Sequence, residues 1–394
     1  MMQASARRSL GGFFLTGLLL AFLGSILPAW GYHLKSDFLT VGNFFLSMNI
    51  GLLASAKAAA YLLSRRGIRF TLILSSALAC AGFLYLAGIP PTAVPGWRYS
   101  GLGLLGLSIG LMNMAVFHAI TPLYERDKAA TLNLAGGFFG LGSLLTTVLV
   151  AGSFYVYTVP SILVLLAVIP GFFAINFAKY RFEPAPLPHQ PSLREAFHDF
   201  KSPGAILLSL LLVFQFGNEW SIAGWLPVFL VQRLGISPAS SLHLLSLYWL
   251  SLLVGRIAMQ AVLPRVRHSR VLFASGSSAV LGCTILSFTN NRFGAVSGIL
   301  LIGAGFAAIY PLLAELIGSR FPYYHPGFFN GIFSIAAIGG LLAPWTLGIY
   351  ANLWGIRVVM LLPLLGACAV LVLAVLIWVY VKLTTTPDSR GAAA

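Results

Sequence analysis

The chain has 394 residues, of which 58% are hydrophobic and only 8% charged. A soluble globular domain carries roughly 25% charged residues, so this balance, with a mean hydropathy of +0.90, excludes one and predicts an integral membrane protein. The formal net charge of +15 would elsewhere suggest nucleic acid, but the basic residues sit between apolar stretches in a pattern that serves membrane orientation, and no nucleic-acid partner is implied.

A membrane-spanning helix needs about 20 apolar residues. Twelve windows meet this: 9–31, 38–63, 70–90, 96–121, 129–153, 155–178, 204–231, 239–263, 270–290, 293–318, 327–351 and 356–381. The first follows Arg7 and Arg8 but is long and lacks an A-x-A exit, so it reads as an uncleaved span rather than a signal peptide. The longest hydrophilic segment, 179–203, is proline-rich and then reads SLREAFHDF, with Leu193, Ala196, Phe197 and Phe200 at the spacing of a short amphipathic helix. It separates residues 1–178 from residues 204–394 and is expected to lie on the inner membrane surface as a linker.

The second six spans repeat landmarks of the first six in the same order. Leu27-Pro28 recurs as Leu226-Pro227 and Lys57 as Arg256, each 199 residues on. Ile120-Thr121-Pro122-Leu123 matches Ile309-Tyr310-Pro311-Leu312 at an offset of 189, and Leu141-Gly142-Ser143-Leu144-Leu145 matches Ile338-Gly339-Gly340-Leu341-Leu342 at 197. Four matches with nearly constant offsets argue for a duplicated unit. The expected fold is all-α: twelve transmembrane helices in two pseudo-symmetric six-helix bundles, an architecture that places a site between the halves.

With the N-terminus inside, 17 of the 24 Lys and Arg residues fall on the cytoplasmic side and 5 in outer loops. Both termini are therefore expected in the cytoplasm, in the plasma (inner) membrane. Cys80, Cys283 and Cys368 lie within spans 3, 9 and 12 and give no disulfide framework. Spans 3, 6, 9 and 12 carry no charge away from their ends, where Arg270 and Arg357 stand, and are expected to be peripheral, leaving the other eight to build an inner cavity.

Ionisable groups inside spans are costly unless paired, hydrated or neutral, so each marks a role. Glu219 stands near the middle of span 7, with Gln215 and Asn218 read as sharing its face and Trp220 and Trp225 nearby. It is the expected proton carrier, with His118 in span 4 a second candidate. Lys57 and Arg256 lie about two turns from the inner ends of spans 2 and 8 and are expected to gate the pathway, together with Arg65 and Glu315. Glu315 and Glu125 are expected to pair with loop arginines such as Arg65 or Arg265. The remaining polar inventory is neutral: Asn49, Asn113, Gln215, Asn218 and Asn330, with Tyr248, Trp249, Tyr310 and Trp345 as aromatic walls. Amides can bond hydroxyls and rings can stack on the apolar side of a pyranose, so the expected ligand is a neutral polyhydroxylated solute. A greasy pocket for amphipathic compounds is the competing expectation. No paired acids, zinc spacing or phosphate-binding loop occur, so neither an enzyme nor a cofactor nor a metal is predicted.

The loop after span 2 reads Ala60-Tyr61-Leu62-Leu63-Ser64-Arg65-Arg66-Gly67-Ile68-Arg69. It resembles the G-x-L-x-D-R-x-G-R-K/R motif of the major facilitator superfamily at Leu62, Arg65, Gly67 and Arg69, with Ser64 where the motif has an acid. FGNEWSIAGWLP in span 7, YWLSLLVGR in span 8, NLAGGFFGLGSLL in span 5 and YPLLAELIGSRFP leaving span 10 resemble the fucose and glucose/galactose permease group. The resemblance implies a monomeric secondary transporter working by alternating access, with proton-driven sugar uptake as the leading activity and proton-coupled export of amphipathic compounds as the alternative.

Overall fold

The structure, a computed structural model, describes residues 7–34, 37–182, 198, 200–263, 265–321 and 331–384. The expected amphipathic helix at 192–200 and the candidate ligand Asn330 fall essentially outside the described residues. The long helices are α1 (Gly11–Ile26), α2 (Phe38–Ala87), α3 (Pro95–Arg126), α4 (Lys128–Ser153), α5 (Val159–Lys179), α6 (Pro203–Leu234), α7 (Pro238–Val262), α8 (His268–Phe288), α9 (Arg292–Arg320), α10 (Gly331–Trp354) and α11 (Val358–Thr384). No strand occurs among the described residues. The 11 helices are long and apolar enough to cross a membrane.

Eleven helices stand where twelve spans were expected because α2 runs for 50 residues without a loop. At about 1.5 Å per residue it is far longer than the roughly 30 Å apolar layer. Gly67 breaks it, with φ 77° and ψ 179°. Only glycine occupies that backbone region without strain, which accounts for the glycine in the loop motif. Arg69, two residues on, donates to the carbonyl of Ala178 at the C-terminal end of α5, where helix carbonyls lack intrahelical donors.

Helix starts follow local chemistry. Asp37 accepts from Thr40 N at 3.2 Å and Asp127 from Ala130 N at 2.9 Å, capping α2 and α4, while α3, α5, α6 and α7 begin with proline in the first turn.

Glycine sets how close the helices come. A Cβ on Gly142 of α4 would sit 1.9 Å from the carbonyl oxygen of Phe14 in α1. One on Gly339 of α10 would sit 1.9 Å from that of Val213 in α6. Val213 is 199 residues beyond Phe14 and Gly339 is 197 beyond Gly142, the offsets of the sequence repeat, so both halves use the same backbone-on-backbone crossing.

Peripheral helices carry the outward apolar surface: Phe172 and Ile175 on α5 and Leu365 on α11 are exposed, as side chains facing lipid are. Toward the ends that carry the turns at 27–34 and the 235–237 loop, the two halves touch closely. The Ala223 carbonyl, which Pro227 deprives of its helical donor, reaches Gly24. Gly42 and Gly348 meet backbone to backbone, and Gln232 Nε2 donates to His33 O at 3.3 Å.

Candidate functional site

Between the halves lies a cavity of about 1160 Å³, part of it open to solvent. Its lining comes from α1, the part of α2 before Gly67, α3, α4, α6, α7, α9 and α10. These correspond to the eight spans expected to build the interior. The surface is mostly apolar, with Phe13, Phe117, Phe139, Phe216, Phe333 and Trp220 as its rings. Thr16, Asn113, Tyr310, Glu219 and Arg256 supply polar groups.

Four predicted ligand residues therefore reach the cavity: Asn113, Glu219, Trp220 and Tyr310. The Tyr310 ring packs on Phe216 at 5.3 Å between centroids. Gln215 does not line the cavity but holds its acid, since Nε2 donates to Glu219 Oε1 at 2.7 Å. The pair is one helical turn apart, so their side chains meet.

Asn218 is a correction. Its side chain packs against Gly366 of α11, because neighbouring residues on a helix point about 100° apart and cannot share a face. Asn49 is likewise structural: buried, it donates from Nδ2 to Leu341 O across the halves at 2.6 Å. Trp225 is fully buried, bonds Pro344 O at 2.9 Å and packs on Phe38 and Phe45. Trp345 donates to Asn43 Oδ1 at 3.3 Å. Both tryptophans lie where the halves meet, outside the cavity.

Tyr248 and Trp249 are buried and stack on each other at 5.1 Å, Trp249 also meeting Phe139 at 6.0 Å. They form the cavity's second layer. His118 is buried beside the lining residue Phe117 and is not itself in the lining. His243, another histidine within an expected span, is exposed near the start of α7.

The four expected gate residues separate. Arg256 is 6% exposed and faces the cavity. Its Nη1 donates to Gly136 O of α4 at 3.0 Å, and its guanidinium lies 6.0 Å from the Phe139 ring centroid. It thus spans the two halves and lines the cavity at once. Lys57, its repeat partner, is exposed. Arg65 is exposed over the Tyr61 ring. Glu315 faces His268 at 3.9 Å rather than Arg65 or Arg265. The histidine begins α8, the helix that precedes α9 and runs antiparallel to it, and so lies at the same end of the bundle.

Sequence reasoning missed Lys128, the first residue of α4, whose Nζ donates to Gly318 O near the end of α9 at 2.5 Å. It also missed Thr16 and named none of the individual phenylalanines that line the cavity. A signal was present in α1, where Phe13, Thr16 and Leu20 fall at helical spacing on the cavity side. Among the described residues no group of His, Cys, Asp and Glu could hold a metal.

Taken together, an apolar chamber between two halves, holding one acid and one base, suits reversible binding of a small solute and has no nucleophile–base arrangement. Comparison with known proteins agrees. An uncharacterized MFS-type transporter of Yersinia pestis is 21% identical over 366 residues, covering 92% of each chain. A D-xylose-proton symporter structure superposes with a TM-score of 0.76 at 15% identity, over 98% of both chains. The E. coli fucose:proton symporter, FucP, superposes with a TM-score of 0.65 at 16% identity, over 94% of this chain and 98% of that one. The profile described as Major Facilitator Superfamily matches residues 9–344. The chain is an integral membrane protein and a transporter that belongs to the Major Facilitator Superfamily.

Proposed function

We propose that the chain is a secondary active transporter that takes up a small sugar or polyol together with protons, its two halves rocking about the central cavity. Counting α2 as two spans divided at Gly67 gives twelve, six on each side of the 179–203 linker. The repeated crossings Phe14–Gly142 and Val213–Gly339 support two equivalent bundles. The excess of basic residues on one side supports cytoplasmic termini, and the monomer is the functional unit.

The observation that carries the proposal is the composition of the cavity wall. Rings from both halves offer stacking faces, while Asn113, Thr16, Tyr310 and the Glu219–Arg256 pair offer donors and acceptors. That combination suits a hydroxylated ring better than a purely apolar guest. Glu219 is the titratable acid in the wall, held by Gln215, and is the group that can carry a proton between the two sides. Proton and sugar then share one chamber, so each can report on the other's binding.

A second reading, export of amphipathic compounds, draws on the seven aromatic side chains of the lining. Reconstituted vesicles separate the two. Sugars accumulating under an inward proton gradient support the first reading; lipophilic cations accumulating by proton exchange, with sugars inert, would replace it with the second. A cysteine placed at Lys201 tests the topology: labelling by an impermeant thiol reagent from outside intact cells would reverse the assigned orientation.

A further inference from the structure

The charges of the cavity wall say more about the solute than its rings do. Among the lining residues Glu219 and Arg256 alone carry a full charge. No ion pair joins them directly among the described residues. Arg256 uses Nη1 on Gly136 O and rests against Phe139, while its Nε is buried with no hydrogen-bond partner. A guanidinium is rarely left so, because its planar fork of donors matches a carboxylate.

The groups facing this pair are few. Tyr248 on α7 and Tyr310 on α9 lie within electrostatic reach of both, and Gln215 touches Glu219 from its own helix. The cation of α4, Lys128, is engaged with Gly318 O, and Glu315 of α9 faces His268 at the periphery. Among the described residues the cavity wall holds no other charge to compensate either member.

With Glu219 ionised the chamber is neutral. Once Glu219 takes up a proton, Arg256 is left as an uncompensated cation in an apolar shell, which is costly. A neutral solute leaves that cost standing, whereas an incoming carboxylate removes it. The geometry points to a hydroxylated solute bearing one carboxylate, a sugar acid, whose carboxylate binds the guanidinium of Arg256 when Glu219 is protonated.

This inference rests on the proton-coupled sugar reading above and sharpens it. Proton and monoanion enter together, the wall stays neutral in both the empty and the loaded state, and the step moves no net charge. The rings and Asn113 hold the carbon skeleton and its hydroxyls.

The purified full-length chain, titrated calorimetrically with D-glucuronate and with D-glucose, tests this. The glucuronate carboxyl, of pKa about 3 to 4, stays ionised from about pH 5.5 to about pH 8, so any pH effect reports on the protein. We expect glucuronate to bind about tenfold tighter than glucose at the acid end, to weaken about tenfold toward the basic end and to take up about one proton per ligand. Glu219→Gln should hold the tight state at every pH with no proton uptake. Arg256→Gln should erase the preference for glucuronate, and Arg256→Lys should restore part of it, which guards against a folding defect. Glucose binding without glucuronate binding would overturn the sugar-acid assignment and leave the sugar reading intact. Binding of neither, with lipophilic cations bound instead, would remove both. Tight glucuronate binding that ignores pH in the unmodified chain would overturn the linkage to Glu219.

Discussion

The two halves share a scaffold and differ in chemistry. Helices α1 and α4 cross at Gly142 as α6 and α10 cross at Gly339, with the same atom pressed against each glycine. Yet both charges of the cavity wall come from the second half, Glu219 and Arg256, while the first half supplies rings with Thr16 and Asn113. Lys57 and Arg256 make the contrast sharpest: equivalent in the repeat, one is exposed and the other is buried at the cavity on a carbonyl of the opposite half. The close crossings, which tolerate no side chain, are alike in the two halves, while the polar positions differ.

The largest effects should fall on the shared part. Gly142→Leu and Gly339→Leu each drive a side chain into a backbone carbonyl. Overpacking costs about 1–3 kcal/mol even where neighbours can shift, and backbone cannot shift cheaply. Both variants should fail to give a single sharp peak by size-exclusion chromatography in detergent. If one is tolerated and the other is not, the crossings are not equivalent.

The next effect separates the repeat partners. Arg256→Gln should lower transport by roughly tenfold or more, the cost of leaving Glu219 without its counter-charge in an apolar wall. Lys57→Gln, at an exposed position, should change it by about twofold or less. Equal losses in vesicle assays would mean that Lys57 works in the pathway after all.

A smaller contrast sets Asn113 against Asn218. Asn113→Ala removes a cavity donor and should weaken ligand binding by about 1 kcal/mol, a several-fold change, with little shift in melting temperature. Asn218→Ala should leave affinity alone and lower the melting temperature slightly, since that side chain packs on Gly366. The smallest effect belongs to His268 and Glu315, a largely solvent-exposed pair 3.9 Å apart. Removing either should cost about 0–1 kcal/mol, measured by thermal unfolding.

How far the sequence spoke for itself depended on what kind of signal each residue carries. The spans follow from apolar length, a quantity that adds over many residues, whereas absence of charge does not by itself single out the eight inner helices, since spans 1, 5 and 11 lack charge as well. Gly67 was legible as part of a motif, although its role in ending one helical segment and beginning the next needed its backbone angles. Glu219 was legible because an acid in mid-span has few ordinary explanations. Of the amides Asn113 reached the lining and others did not: an Asn or Gln bonds whatever carbonyl or carboxylate is near, and Asn49 and Gln215 found Leu341 and Glu219. Two of the tryptophans misled for a related reason. A large ring with one N–H suits a seam between helices as well as a binding wall, and Trp225 and Trp345 took the seam. Arg256 was placed at a gate by its depth in the span, and only the fold shows that the same depth reaches the chamber.

The account turns on Glu219 as the group that ties proton movement to solute movement, and one substitution isolates it. Glu219→Gln keeps the shape and can still meet Gln215, but it cannot titrate. In reconstituted vesicles the variant should lose accumulation driven by a pH gradient while keeping solute binding and exchange between the two sides. A variant that still accumulates solute up its gradient as the unmodified chain does would contradict the account and return Glu219 to a structural role beside Gln215.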